Sequence, residues 1–262
     1  MNRKRSKRPI IIAHRGASGL APENTLAAFR RAIQQGADMI ELDVRMTKDY
    51  HIVVHHDRTV RRTTGGKGCV WDLTLQQIRL LDAGSWFHPR FAGEQIPTLR
   101  QVLEIMPPHT QVNIEVKRDG DPRKRLAFEE VCILIIMEKR FEERTIVSSF
   151  DHRFLERMHK LYPAIRTGAL FRPVRDIRKK PSSVVQKIGA SAFICSYTQL
   201  RRRLVDDAKA HNIMTSAYVV NSTRQLAKVL RYDIDAIITD YPGRINRALE
   251  KLGMPSSNIR PT

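Results

Sequence analysis

At 262 residues, with 42% hydrophobic and 28% charged side chains, the chain has the make-up of a folded globular protein, not of a fibrous repeat or a disordered tract. Its 46 Lys and Arg against 27 Asp and Glu leave a formal charge of +19. Such a field favours encounter with acidic partners without choosing among small anions, membrane surfaces and nucleic acid. Three scattered cysteines, Cys69, Cys132 and Cys195, form no CxxC pair, which argues against a disulfide framework or a zinc knuckle and for a reducing, cytoplasmic setting.

In chain order, a basic arm over residues 1–8 precedes the apolar run Ile10-Ile11-Ile12-Ala13. That run is shorter than the roughly 7 to 15 residues of a signal-peptide core. No apolar stretch approaches the roughly 20 residues of a membrane span. The run reads instead as a strand buried on both faces. A glycine-bearing loop follows at 16–19, then a helix capped by Asn24 or Thr25 with Leu26, Phe29 and Ile33 on one face and Gly36 at its end.

The same alternation recurs. Strands are expected at 39–44, 111–116, 144–148, 166–170, 192–195, 214–218 and 236–239, and helices at 123–140, 151–161, 199–211, 222–231 and 243–252, with another starting near Thr98. Roughly eight strands alternating with helices imply an α/β fold of the TIM-type (β/α)8 barrel class, with an open parallel sheet as the alternative. About 250 residues suffice for such a barrel, so 1–262 reads as one domain. Residues 57–97 break the rhythm. So long a connection after the second strand implies a small inserted subdomain or lid that walls or covers the active site.

Three strands carry polar groups at their ends: His14-Arg15, Glu41-Leu42-Asp43 and Glu115-Val116-Lys117. Side chains two apart on a strand share a face, so Glu41 and Asp43 point together, as do Glu115 and Lys117. Carboxylates gathered at one barrel end repel one another unless a cation neutralises them. Three hard oxygen donors without a neighbouring Cys or His favour Mg²⁺ or Ca²⁺, then Mn²⁺, over Zn²⁺. His14 and His56 are the acid/base candidates, since imidazole titrates near neutral pH. In the run 51–57, Ile52, Val54 and His56 share one face and His51 and His55 the other, so only one face can look into a site. Arg15 and Lys117 suit a phosphate whose charge shifts during displacement.

With these residues in place, the chain resembles the glycerophosphodiester phosphodiesterase family. The resemblance rests on His14-Arg15-Gly16, Pro22-Glu23-Asn24-Thr25, Gly36-Ala37-Asp38, Ile40-Glu41-Leu42-Asp43-Val44, Thr47-Lys48-Asp49 and Val54-His55-His56-Asp57. It continues through Leu81-Asp82-Ala83-Gly84-Ser85-Trp86, Ile96-Pro97-Thr98-Leu99, Asn113-Ile114-Glu115-Val116-Lys117, Ser148-Ser149-Phe150 and Thr239-Asp240-Tyr241-Pro242. It implies a barrel with a small inserted subdomain and hydrolysis of glycerophosphodiesters to glycerol 3-phosphate and an alcohol. His14 and His56 take the acid/base positions, Glu41, Asp43 and Glu115 those of one divalent metal, and Arg15 and Lys117 those of phosphate contacts. Glu23 supports the site from behind, and Tyr218 stands near the alcohol end where a tryptophan is common. Asp49-Tyr50 replaces the family's usual Asp-Gly turn.

Which histidine is acid and which base stays open, as does the choice between direct attack by water and a cyclic phosphate formed by a substrate hydroxyl. Two rival readings also stand: a phosphodiesterase of the sphingomyelinase D or lysophospholipase D kind, and a noncatalytic basic protein that binds acidic membranes through residues 175–180 and Arg201-Arg202-Arg203. No recognised nucleic-acid motif accompanies the charge. The expected partner is a small glycerophosphodiester, with peripheral contact to anionic membrane as a further possibility and the oligomeric state open.

Overall fold

The computed structural model describes residues 8–117, 125–172, 176 and 178–254. The basic arm before Arg8, the first two residues of the helix expected at 123–140, and residues 175 and 177 of the basic stretch lie outside the described residues.

Eight parallel strands close into a barrel: β1 (Ile10–Ala13), β2 (Met39–Met46), β4 (Gln111–Val116), β5 (Thr145–Ser149), β6 (Arg166–Leu170), β7 (Ala192–Ser196), β8 (Met214–Tyr218) and β9 (Ala236–Thr239). Closure is explicit, because β1 pairs in parallel with both β2 and β9. The TIM-type barrel is thereby established and the open sheet excluded. Longer helices lie between the strands: α1 (Leu26–Gln34), α5 (Arg125–Glu138), α6 (His152–Leu161), α8 (Arg202–Ala210), α9 (Thr223–Leu230) and α10 (Pro242–Lys251). Thr25 accepts from the Ala28 amide to cap α1, and Ser222 and Gln225 form a reciprocal cap on α9.

Strand alternation sorts side chains into two cores. Odd-numbered residues of β1 and even-numbered residues of β2, such as Ile11, Ala13, Ile40, Leu42 and Val44, pack outward with Phe29, Leu155 and Leu249 of the helices. The opposite face lines the barrel, where Ile12, Met39, Ile146, Leu170, Ile194, Ala236 and Ile238 make an apolar plug. That plug closes the barrel below the polar ends of β1, β2 and β4, so the carboxylates stand above a dry floor.

Some elements depart from expectation. The second strand runs two residues past 44 because β3 (Ile52–Val54) pairs antiparallel with its end, Val44 to Val54 through Met46 to Ile52. Tyr50 closes this hairpin at φ +67°, with the Thr47 hydroxyl donating to Asp49 at 2.6 Å and accepting from the His51 amide at 2.9 Å. The turn thus survives without glycine. The helix expected from 199 starts at Arg202, because Gln199 folds back to accept from the Ser196 amide at 3.3 Å. A five-residue helix, α7 (Pro181–Val185), joins β6 to β7 and was not anticipated; it is too short for an apolar stripe.

Residues 57–97 hold two short helices, α2 (Arg61–Thr64) and α3 (Leu75–Arg79), and a small core of their own made by Val53, Val60, Val70, Ile78, Ala83 and Ile96. The helix α4 (Leu99–Glu104) follows, with Thr98 and Gln101 as a capping box.

Two backbone positions give opposite expectations. Gly16 sits at φ +81°, and a Cβ there would lie 2.7 Å from the Ala28 carbonyl carbon. Gly16→Ala is expected to cost at least about 2 kcal/mol in denaturant unfolding. Tyr50 is half exposed and bears the left-handed penalty, which glycine does not, so Tyr50→Gly is expected to stabilise by roughly 1 kcal/mol in the same assay.

Candidate active site

Glu41 and Asp43 stand on the inner face of β2, and Glu115 stands beside Asp43 in the β2–β4 register. One carboxylate oxygen from each lies within 4.8 Å of the others, and Glu41 and Asp43 are fully buried. The three acids read from the sequence therefore converge, and their spacing is that of ligands around a single ion. Asn113, next to Glu41 across the strands, and Ser148, next to Glu115, carry buried side-chain oxygens without a hydrogen-bond partner among the described residues. An all-oxygen, net-negative cluster of this kind fits a hard divalent cation.

Two cations already crowd the cluster. Lys117 Nζ lies 2.9 Å from Asp43 Oδ1 and also bonds Glu115. Arg15 reaches Asp43 Oδ2 through Nε at 3.2 Å and Glu23 Oε1 through its terminal nitrogen at 2.8 Å, while its backbone amide donates to Glu41 Oε2 at 2.7 Å. That amide points inward because Arg15 takes a left-handed conformation, φ +54°. Asn24, also left-handed at φ +58°, donates to Asp43 Oδ2 at 2.8 Å. Glu23 anchors Arg62 of the 57–97 segment through two further bonds of 2.7 and 2.8 Å. The Pro22-Glu23-Asn24-Thr25 run is therefore a bracket beneath the triad.

His14 and His56 both arrive at this barrel end. His14 follows β1, and its Nδ1 lies 2.7 Å from Asp240 Oδ1 at the end of β9. Asp240 is itself held by Ser18 at 3.0 Å and Asn221 at 2.5 Å. His56 follows β3, with Nδ1 2.6 Å from Asp57 Oδ1, whose second oxygen accepts from Arg62 at 2.6 Å. The His55 amide donates to the Asp43 carbonyl, extending the hairpin register so that the next residue meets the triad. A carboxylate on Nδ1 fixes that proton and leaves Nε2 to face a substrate. Asp57 and Asp240 were quoted within motifs but given no role; only the three-dimensional contact reveals them as imidazole partners. His55 lies on the other face of the run, buried, with Nε2 3.1 Å from the Thr59 carbonyl. Tyr218, on β8, is across the barrel from β4, and burial pushes its hydroxyl up to about 12.

The charges divide sharply. Burial and the neighbouring Asp43 charge raise Glu41 to about 8, and burial likewise raises Glu115 against the pull of Lys117. Burial would raise Asp43 too, but Lys117 and Arg15 outweigh it and hold this carboxyl well below the usual range. For His14, burial works downward, but the Asp240 bond and the Glu41 charge prevail and raise it. For His56, burial dominates and lowers it, with Lys117 and Arg15 acting the same way against Asp43.

A family model described as "Glycerophosphoryl diester phosphodiesterase family" matches residues 14–244. The chain belongs to the glycerophosphoryl diester phosphodiesterase family, and with it to the phosphoric diester hydrolases. Among its relatives is a glycerophosphodiester phosphodiesterase of Caldanaerobacter subterraneus subsp. tengcongensis, 40% identical over 93% of this chain and 99% of the relative. Among solved structures, a glycerophosphodiester phosphodiesterase from Agrobacterium tumefaciens str. C58 is 33% identical, with a TM-score of 0.77 over 90% of this chain and 98% of that one. An Oleispira antarctica phosphodiesterase, in complex with the product sn-glycerol-3-phosphate, is 29% identical, with a TM-score of 0.85 over 92% and 97%.

The raised Glu41 carboxyl gives a pH test for this family site. Its folded pKa lies above its ordinary 4.5, so its stabilising contribution is complete below that value and is lost as pH climbs through about 8. With chelator present, the thermal midpoint is expected to carry a falling component from about pH 5 to 8. Added Mg²⁺ or Ca²⁺ should raise the midpoint more at pH 8 than at pH 6, because binding must expel that proton. A cation-induced gain that shrinks with rising pH would count against the triad as ligands.

Proposed function

We propose that this chain hydrolyses glycerophosphodiesters to glycerol 3-phosphate and an alcohol, with His14 and His56 as the acid/base pair. Glu41, Asp43 and Glu115 hold one divalent cation, Mg²⁺ or Ca²⁺ ahead of Mn²⁺. The observation that carries this reading is the buried triad within 4.8 Å, flanked by two imidazoles that each have an aspartate on Nδ1. The glycerol 3-phosphate in the Oleispira antarctica relative supports the product.

When bound, the cation supplies charge neutralisation at a phosphate oxygen and polarisation of phosphorus. Lys117 and Arg15 take part of the phosphate charge as it moves onto the leaving oxygen. One imidazole accepts at Nε2 the proton of the attacking oxygen, from water directly or from a substrate hydroxyl whose cyclic phosphate water then opens, as the new oxygen–phosphorus bond forms. The other gives its proton to the departing alcohol oxygen as the old bond breaks. Asp240 and Asp57 hold each ring in the tautomer that keeps Nε2 available. Glu23 keeps Arg15 in place, and Tyr218 borders the substrate from the opposite wall.

Residues 57–97 act as an inserted subdomain that walls the site, since Arg62 ties this segment to Glu23 in the loop before α1. The whole chain works as one barrel domain. Three free thiols, two of them buried, suit a cytoplasmic setting. Among the described residues, no helix is long and apolar enough to cross a membrane. The rival binding surface at Arg201 is weakened by local commitments: Arg201 donates to the Thr198 and Leu200 carbonyls, and Arg202 stacks 5.5 Å from the Tyr232 ring.

Release of glycerol 3-phosphate from a panel of glycerophosphodiesters, with sphingomyelin and lysophosphatidylcholine as controls, tests the proposal. Turnover should vanish with chelator and return on adding back Mg²⁺, Ca²⁺ or Mn²⁺. His14→Ala and His56→Ala should each slow it by about 10² to 10⁴ fold. Losses below tenfold for both variants would remove the histidines from the chemistry.

A further inference from the structure

A cavity of about 1110 Å³ opens from the Glu115–Lys117 side of the site and runs out over the ends of β5 and β6. It exceeds the roughly 300 to 1,000 Å³ of ordinary small-molecule pockets and is far larger than a glycerol moiety requires. Its outer wall is basic, with Arg153, Arg172, Lys179 and Lys187 all facing the space.

The acids nearby have other commitments. Glu115 bonds Lys117. Asp151 caps α6 by accepting from the Arg153 and Phe154 amides. Glu156 bonds Lys160 at 2.9 Å, and Asp176 takes both Arg172 at 2.8 Å and Lys179 at 3.0 Å. Arg153 and Lys187 are exposed and make no ion pair with a described residue; Glu156, whose carboxyl feels Lys187, is bonded to another lysine. Two cations without an ion-pair partner among the described residues therefore face one cavity that reaches Glu115 of the triad.

We infer that this cavity is a subsite for a second phosphate, carried on the alcohol half of the diester and met by Arg153 and Lys187. The inference rests on the hydrolase reading above and names its substrate class. Glycerol is common to all substrates of that reading, so discrimination has to come from the alcohol, and only the alcohol varies enough to need a volume of this size. A cationic alcohol such as choline meets the wrong sign of charge there. A phosphate meets two donors whose hydrogen bonds are charge-assisted. Both a phosphomonoester on a polyol and a second phosphodiester in a glycerol phosphate chain offer this chemistry.

The experiment uses the full chain saturated with the divalent cation that supports turnover. It compares kcat/KM for glycerophosphoinositol, glycerophosphoinositol 4-phosphate and bis(glycerophospho)glycerol. The unaltered protein should favour one or both doubly phosphorylated substrates over glycerophosphoinositol by about tenfold, with the advantage shrinking at high salt. Which of the two gains identifies the source of the phosphate. In the Arg153→Glu/Lys187→Glu double variant the ratio should fall to about one, and the milder Arg153→Gln/Lys187→Gln pair should reduce it by several fold. Equal kcat/KM for all three substrates in the unaltered protein, or a ratio that neither double variant lowers, overturns the subsite while leaving the hydrolase reading intact. No turnover of any of the three overturns both.

Discussion

Three carboxylates buried in one barrel mouth are the constraint around which the rest of this structure is arranged. Left alone, Glu41, Asp43 and Glu115 would repel one another in a medium that screens poorly. The chain answers with Lys117 from the same strand as Glu115 and with Arg15 from the loop after β1. It also accepts left-handed backbone at both Arg15 and Asn24, which turns an amide onto Glu41 and a side-chain amide onto Asp43. Local strain of this kind persists only where surrounding contacts overdetermine it. Here the bracket from Pro22 to Thr25, capped onto α1, does so.

The imidazoles extend the same network instead of standing apart from it. Arg62 binds Glu23 behind Arg15 and Asp57 behind His56, so one guanidinium from the 57–97 segment steadies both a cation and a histidine. Asp240 does the equivalent for His14 from the last strand, which is hydrogen-bonded to the first. Closure of the barrel is thus a condition for the site as well as for the fold. Without the β1–β9 seam, His14 would lose the aspartate that fixes its tautomer.

The strands were readable because parallel strands covered on both faces leave uninterrupted β-branched runs such as Ile10-Ile11-Ile12, and the breaks in those runs marked the site. Glu41, Asp43 and Glu115 were legible for the same reason: a carboxylate within a buried run needs an explanation. The strand β3 was legible only in part: the two-residue alternation over 51–57 set its faces, but its pairing with β2 depends on a turn at Tyr50 that lacks the usual glycine. The partners of the histidines were hidden for a different reason. Asp57 adjoins its histidine, yet adjacency in a strand-like run suggests opposite faces; Asp240 lies 226 residues from His14. No local pattern encodes either contact, and only barrel closure creates the second.

On the proposed reading, a cation in the triad would take the charge at the site from near neutral to net positive, which would link the fold to the substrate. With Glu41 protonated, Asp43 and Glu115 are balanced by Lys117 and Arg15, and the cluster is close to neutral. A divalent cation that expels the Glu41 proton sets three negative charges against four positive ones, leaving a net excess of one. That excess matches the single negative charge of a phosphodiester, and it appears only when the cation is bound. On the proposed reading, Lys117 and Arg15 would then be released from balancing the acids and free to face phosphate oxygens. The basic residues of the cavity wall beyond Glu115 would, on the same reading, extend that attraction to a substrate with charge at both ends.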